Sequence, residues 1–404
     1  MTCRALGTLI AAWAVTASGV AMAALPATQL VYIGTRGANG TAGGAVHPGA
    51  TQGIYAARLD TESGRLMSLG QMLSLDRAQW LAVHPVLPVL YSVAGGSGGP
   101  DVDSELYSLR IEPSGALRVQ KHVGTGGRDA THLDVDARSG TVFVANHGST
   151  QASQPPLKPG SVAALSLLAD GSPGAVMSLR EDTGTGPNPR RQRSPQAHSV
   201  LLDPTGRFVL VADLGADRIF VHRFDAATRL LMPAGSESLP PGTGPRHMSF
   251  HPGGRFLFVN GELTADVHVY AWDPSGGRLQ RRQVVSAYPA GYAGAVDKSS
   301  SELAVSADGR FVYLSLRGDQ NSIVVYAFSP ATAALREVQR VSSGGTGPTA
   351  FAFDASGRWL MVANETSASV TVMRIDSASG RLLPTGQSLS VPDPGALAIV
   401  RAGM

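Results

Sequence analysis

The sequence predicts an all-β protein, a seven-bladed β-propeller whose ring is closed by N- and C-terminal strands sharing one blade. Three observations carry this. First, a hairpin unit built as strand, Asp/His-Pro-x-Gly-Arg, strand recurs as LLDPTGRFVLVAD (201–213), SFHPGGRFLFVNG (249–261), AVSADGRFVYLSL (304–316) and AFDASGRWLMVAN (352–364). Second, an Asp-x-x-Ser/Gly-Gly-Arg-Leu turn recurs at 60–66, 273–279 and 376–382, with looser forms near Ile111, Ala169, Asp225 and Ser329. Third, no convincing amphipathic helix separates these units. Each unit holds about four strands in 47 to 67 residues, the period of a propeller blade.

The elements follow in order. The Pro-x-Gly pieces are turn chemistry, so each first motif is a hairpin. The runs GIYAARL, RIFVHRF, DVHVYAW, SIVVYAF and SVTVMRI alternate Val/Ile with polar residues, the period-two signal of a third strand. Weaker hairpins are LAVHPVLPVLYSVAG (81–95) and LDVDARSGTVFVAN (133–146). Second strands are expected to start near residues 31, 90, 142, 209, 257, 312 and 360, which gives seven blades. VYIGTRG at the front has no first strand before it, and GALAIV at 395–400 has no hairpin after it. Together they complete one blade and remove the open edges. Insertions at 37–52, 148–160 and 187–197 mark the face where binding is expected.

The chain has 404 residues, 43% apolar and 16% charged, which excludes a disordered chain and allows a large core. Lys+Arg 33 against Asp+Glu 30 leaves a net charge of +3, too little for a nucleic-acid footprint. Residues 1–23 read as a signal peptide: Arg4, an uncharged apolar stretch over 5–20, then the small-x-small pattern Ala21-Met22-Ala23. Residues 24–404 are then a single mature propeller domain, periplasmic or secreted, with no membrane association after cleavage and monomeric. The one cysteine, Cys3, lies in the signal, so no disulfide, thiol nucleophile or cysteine metal site is expected.

Aligning the copies isolates residues that the scaffold does not need. Eight positions before the turn glycine stand His198, Arg246, Ser301 and Thr349, with Thr131 and Gln79 from the weaker copies. Eight positions after it stand Leu214, Glu262, Arg317 and Glu365, with His147 and Arg36 from the weaker copies. The first set starts the innermost strand and the second follows the next strand. In an antiparallel hairpin these ends lie side by side, so both rings are expected at one mouth of the central channel. Scattered polar residues at a wet rim are one reading. Convergent charged groups at a concave mouth are the other, and they mark a candidate site.

The segments AHSVLLDPTGRFVLVADLGADRI, GPRHMSFHPGGRFLFVNGEL, LSLRGDQNSIVVY and GPTAFAFDASGRWLMVANETSASV resemble the lactonase family of seven-bladed propellers. That family includes the propeller type of 6-phosphogluconolactonase and fungal carboxymuconate cycloisomerase. The resemblance implies a catalytic constellation of His198, Arg246, Glu262 and Arg317. Gln196 stands where the family often has a second His. With His147, Glu365 and Arg36 it is a candidate for substrate binding.

Lactone hydrolysis needs a base for water, cations for the carbonyl oxyanion and groups that position the ring. Glu262 or His198 can be the base. Arg246 and Arg317 suit the oxyanion and an anionic substituent. The expected activity is hydrolysis of a sugar lactone or phospholactone to the acid. The same four groups also suit a muconate-type cycloisomerase, and a non-catalytic exported binding propeller is the third reading. No metal ligand set and no cofactor motif is visible, so no metal and no cofactor are expected, and the partner is a small lactone or other anionic molecule.

Other motifs read as structure. Gly95-Gly96-Ser97-Gly98-Gly99 lacks the strand–turn–helix context of a nucleophile elbow. His251 takes the turn position held elsewhere by Asp, and His222 and His268 take equivalent strand positions. Gly-Thr-Gly-Pro at 184, 242 and 345 is a recurring turn. Arg190, Arg191 and Arg193 lie in the loop leading to His198, either as a solvated loop or as a gate for an anion.

Overall fold

The computed structural model describes residues 27–36, 52–94, 103–148, 158–289, 291–292 and 297–400. The expected signal (1–23), most of the 37–52 insertion and the Gly95–Gly99 stretch lie outside these residues. The described residues form 28 strands in seven four-stranded antiparallel sheets, and no helix. Blades 2 to 7 span residues 80–124, 130–181, 197–238, 245–286, 300–342 and 348–390, each running outward in chain order from its innermost strand. Blade 1 is composite. Its innermost strand is Pro394–Ile399, followed by Thr28–Thr35, Gly53–Asp60 and Leu66–Ser74. The closing pair is antiparallel, with Val31 opposite Ile399 and Gly34 opposite Ala396. Each innermost strand packs on those of the two neighbouring blades, and the last blade returns to Pro394–Ile399, so the sheets form a ring.

The second strand of each blade is buried on both faces, which is why it reads as a continuous apolar run. In Phe208–Asp213, Phe208, Leu210 and Ala212 pack toward blade 5, while Val209 and Val211 pack toward blade 3. Strand periodicity of two sends successive side chains to opposite faces. The core is accordingly seven apolar layers, one at each blade–blade interface, not one central mass.

Both repeated turns have a physical role. Asp203 Oδ1 accepts the backbone N–H groups of Arg207 and Phe208, each at 2.8 Å, and Asp354 does the same for Arg358 and Trp359. His251 substitutes through Nδ1, which accepts the Gly253 N–H at 2.9 Å, consistent with its structural reading. The turn Arg then staples blade to blade. Arg207 donates to the Pro274 carbonyl, Arg310 to that of Ser377 and Arg358 to that of Thr61, in each case the outer turn of the next blade.

Candidate functional site

The predicted rings exist. In six blades the residue after the second strand donates its backbone N–H to the carbonyl two residues before the inner-ring position. The pairs are Arg36–Asp393, His147–Asp129, Leu214–Gln196, Glu262–Gly244, Arg317–Ser299 and Glu365–Gly347, all between 2.7 and 3.0 Å. The inner-ring residues of these blades sit where the strand register slips: at 131, 198, 246–247, 301–302, 349 and 395. A β-bulge of this kind leaves an extra residue unpaired and re-aims side chains. Here it turns them into the channel mouth. The cavity there is lined by residues that include Arg36, Trp80, His198, Arg246 and His247.

Glu262 organises the charges. Its Oε1 accepts Arg191 Nη2 at 2.6 Å, and its Oε2 accepts Arg246 Nε at 2.9 Å. Arg317 Nη2 and His198 Nε2 stand 3.5 and 3.7 Å from the same Oε2. Burial alone would raise the carboxyl pKa, but the charges of Arg317, Arg191 and Arg246 outweigh it and hold Glu262 well below the usual carboxylate range. Burial also pulls Arg246 down to about 10, against the pull of Glu262, so the guanidinium stays charged at neutral pH. His198 is driven well below its ordinary value, by burial first and then by Arg246 and its neighbouring imidazoles, and is neutral there.

All four residues of the predicted constellation therefore meet, on blades 4, 5 and 6. The four predicted binding residues divide. Arg36 lines the cavity, and its Nη1 lies 3.5 Å from Glu365 Oε2. Arg36 reaches the mouth because blade 1 carries Gly395 at the inner position: a Cβ there would stand 2.2 Å from Arg36 Cγ. Glu365 Oε2 also accepts the Thr349 hydroxyl at 2.7 Å. His147 packs edge-on against His198, with ring centres 5.6 Å apart, and backs the cavity rather than lining it. Gln196 is buried beside the Gly160 and Gly215 backbone and stands outside the cavity lining. Its backbone N–H binds Asp213 Oδ1 at 2.8 Å, so it braces the strand that carries His198.

Several residues of the site escape a count along the repeat. Arg191 of the basic loop crosses to Glu262. The loop is pinned by buried Gln192, whose Nε2 donates to the Leu214 carbonyl and to Asp217 Oδ1, each at 2.8 Å. His247 lines the cavity beside Arg246, and its Nδ1 lies 2.8 Å from Glu302 Oε1. Trp80 supplies an apolar wall, its ring centre 4.3 Å from that of His132 with the planes tilted by 34°, and set edge-on to His247. Trp80, His247 and Glu302 each directly follow a ring position, Gln79, Arg246 and Ser301.

Comparison with known proteins agrees with this architecture. The family model "Lactonase, 7-bladed beta-propeller" matches residues 31–399. A 6-phosphogluconolactonase of Bacillus subtilis is 32% identical over 349 residues, 86% of this chain and 94% of that protein. A 6-phosphogluconolactonase of Formosa agariphila is 27% identical, covering 84% of this chain and 93% of its own. Among solved structures, the periplasmic gluconolactonase of Pseudomonas aeruginosa superposes with a TM-score of 0.82 at 34% identity, over 92% of this chain and 99% of that one. The match runs through every blade and reaches the closing strand, and the chain belongs to the seven-bladed β-propeller lactonase family.

Proposed function

We propose that this protein is an exported lactone hydrolase that opens the lactone of a monosaccharide acid, with an unphosphorylated aldonolactone as the preferred substrate. The observation that carries the reading is the pairing, at one small cavity, of a buried charged Arg246 with neutral imidazoles. A cation is there for the carbonyl oxygen as negative charge develops on it. Unprotonated nitrogen is there to take a proton from water. The cavity lining brings together Arg36, Arg246, His198, His247 and Trp80, a few polar groups converging beside one apolar wall, as ligand sites do. Trp80 offers the sugar ring an apolar face.

The preference for an unphosphorylated substrate rests on charge pairing. Arg36 faces Glu365, Arg77 faces Asp129, and Arg191, Arg246 and Arg317 share Glu262. A phosphate dianion has to compete with carboxylates for every one of these cations. A neutral lactone needs only Arg246 and hydrogen bonds. Export, as the first 23 residues suggest, also separates the enzyme from cytosolic sugar phosphates.

The test is a panel of sugar lactones, with and without phosphate, offered to wild-type protein and Glu262→Gln in ¹⁸O water. The expected result is ring opening with one ¹⁸O in the product, higher kcat/KM on the unphosphorylated lactone, and a rate at least about 100-fold lower in the variant. Higher kcat/KM on the phospholactone would overturn the substrate preference. Turnover without ¹⁸O uptake would point to cycloisomerisation.

A further inference from the structure

Neither predicted base is well placed to accept a proton. Both oxygens of Glu262 are engaged by guanidinium groups, and the three positive charges make it a weak base. His198 Nδ1 is buried without a hydrogen-bond partner, so no acceptor fixes which of its nitrogens carries the proton. His247 lacks neither feature. Its Nδ1 is 2.8 Å from Glu302 Oε1, in a buried pair, which fixes the proton on Nδ1 and leaves the lone pair on Nε2. Glu302 is itself held: its Oε1 accepts the Leu303 N–H at 3.0 Å, and its own N–H binds Ser315 Oγ at 2.8 Å. Arg246 Nη1 lies 3.0 Å from Nε2 and 3.4 Å from Nδ1 of His247. Near-equal distances to both ring nitrogens place it over the ring face, so the in-plane lone pair of Nε2 is left open.

On the reading of the protein as a lactone hydrolase, we propose that His247 is the general base and Glu302 its positioning residue. Water attacks the lactone carbonyl carbon while Nε2 of His247 takes one of its protons. The C=O electron pair moves onto the carbonyl oxygen, beside the Arg246 guanidinium. When the tetrahedral intermediate collapses, the ring C–O bond breaks and the departing oxygen takes the proton back from Nε2. The sum is lactone plus water to hydroxy acid. The imidazolium that forms between these steps is stabilised by the Glu302 carboxylate, the logic of a base oriented by a third group.

The surroundings set the pH behaviour. Arg246 and Glu262 face His247 from its own blade, Glu302 from blade 6, His198 from blade 4, His132 from blade 3 and Trp80 from blade 2. Burial lowers the His247 pKa, Glu302 raises it against this, and Arg246 lowers it again, so it ends below its ordinary 6.5. His247 is therefore neutral and ready as a base at neutral pH. Activity is lost only as pH falls through that lowered value.

The experiment compares wild type, His247→Gln, His247→Ala and Glu302→Gln on the best lactone, with thermal melts to confirm folding and ¹⁵N NMR of the histidines. His247→Gln should lower kcat about 100-fold or more with KM within threefold. Added imidazole should restore part of the rate of His247→Ala. Glu302→Gln should lower kcat and move the acid limb to lower pH because a raising charge is gone. A folded His247→Gln with kcat within threefold of wild type overturns the base role alone. An Nε2–H form in wild type overturns it as well. A wild type inert on every lactone overturns the reaction itself, while the His247 tautomer still reports whether the pair forms.

Discussion

Glu262 gathers three guanidinium groups at one point, and its worth to the site lies in that gathering rather than in its basicity. Arg191 is the most exposed of the three, with 40% of its side chain in solvent, and it comes from a loop rather than a strand. Arg191→Ala should therefore cost little stability, because exposed pairs contribute little, yet it frees Glu262 Oε1 and lets its pKa rise. The expected outcome is a thermal midpoint within about 2 °C of wild type with kcat/KM lowered about tenfold; unchanged kcat/KM would remove Arg191 from the site. Asp213 makes a second prediction. Burial raises its pKa to about 7, against backbone N–H bonds from Gln196 and Ala216 that favour the charged form. The folded protein thus keeps a proton that the unfolded chain releases near 3.8. This contribution is fully present below 3.8 and is lost as pH rises through about 7. The equivalent second-strand position holds Asn146 and Asn364 in blades 3 and 7, and Asp213→Asn should raise stability at pH 8 by an amount on the order of 2 kcal/mol while changing little at pH 4. Equal denaturation midpoints at pH 8 would show that Asp213 is ionised at no cost.

At the scale of the element, the strand starts were legible because the turn chemistry is explicit. Six of the seven expected second-strand starts fall one residue from the observed Val89, Thr141, Phe208, Phe256, Phe311 and Trp359. The seventh, expected at 31, begins at Thr28, because no Gly-Arg turn precedes it to mark the boundary. The ring positions were legible for a related reason: subtracting the repeat leaves what the scaffold does not need. His247 and Glu302 were not, because strand alternation sends the residue after a channel-facing one into the blade interface. The bulge breaks that alternation, so Arg246 and His247 together oppose Asn260 and both reach the cavity. No sequence signal marks such a slip. The outer turns give the element-scale prediction. Gly380 has φ +72°, and a Cβ there would stand 2.4 Å from the Phe311 ring of the preceding blade; Gly64 and Gly277 meet Trp359 and Phe208 in the same way. Gly380→Ala should destabilise by about 2 kcal/mol or more, from left-handed strain plus the clash, whereas Gly386→Ala, with open space around it, should show the strain alone. Equal losses in urea denaturation would mean that Phe311 yields freely.

For the whole molecule, what matters is that the ring closes without a covalent bond. Blade 1 is held together by the ladder between Thr28–Thr35 and Pro394–Ile399, and the closing strand also carries Ala396 and Ala398 into the layer between blades 1 and 2 and Leu397 against the layer between blades 7 and 1. It is a part of the site as well, since Gly395 makes room for Arg36 at the cavity. Removing residues 394–404 should strip the ladder from Thr28–Thr35 and leave an open edge at the centre of the ring. The lost hydrogen bonds and apolar contacts amount to about 5 kcal/mol or more, a fall of about 6 °C or more in the thermal midpoint of a chain this long. Hydrolysis should fall with it, because the inner strands that hold His198, Arg246 and His247 lean on their neighbours around the whole ring. A synthetic peptide of residues 394–400 should pair with the exposed edge and restore part of both properties, as strand addition does at other open sheet edges. A truncated protein that keeps the wild-type midpoint and rate would show that six blades and three strands of the seventh hold the channel mouth unaided, and the closing strand would then be an edge cover rather than a structural tie.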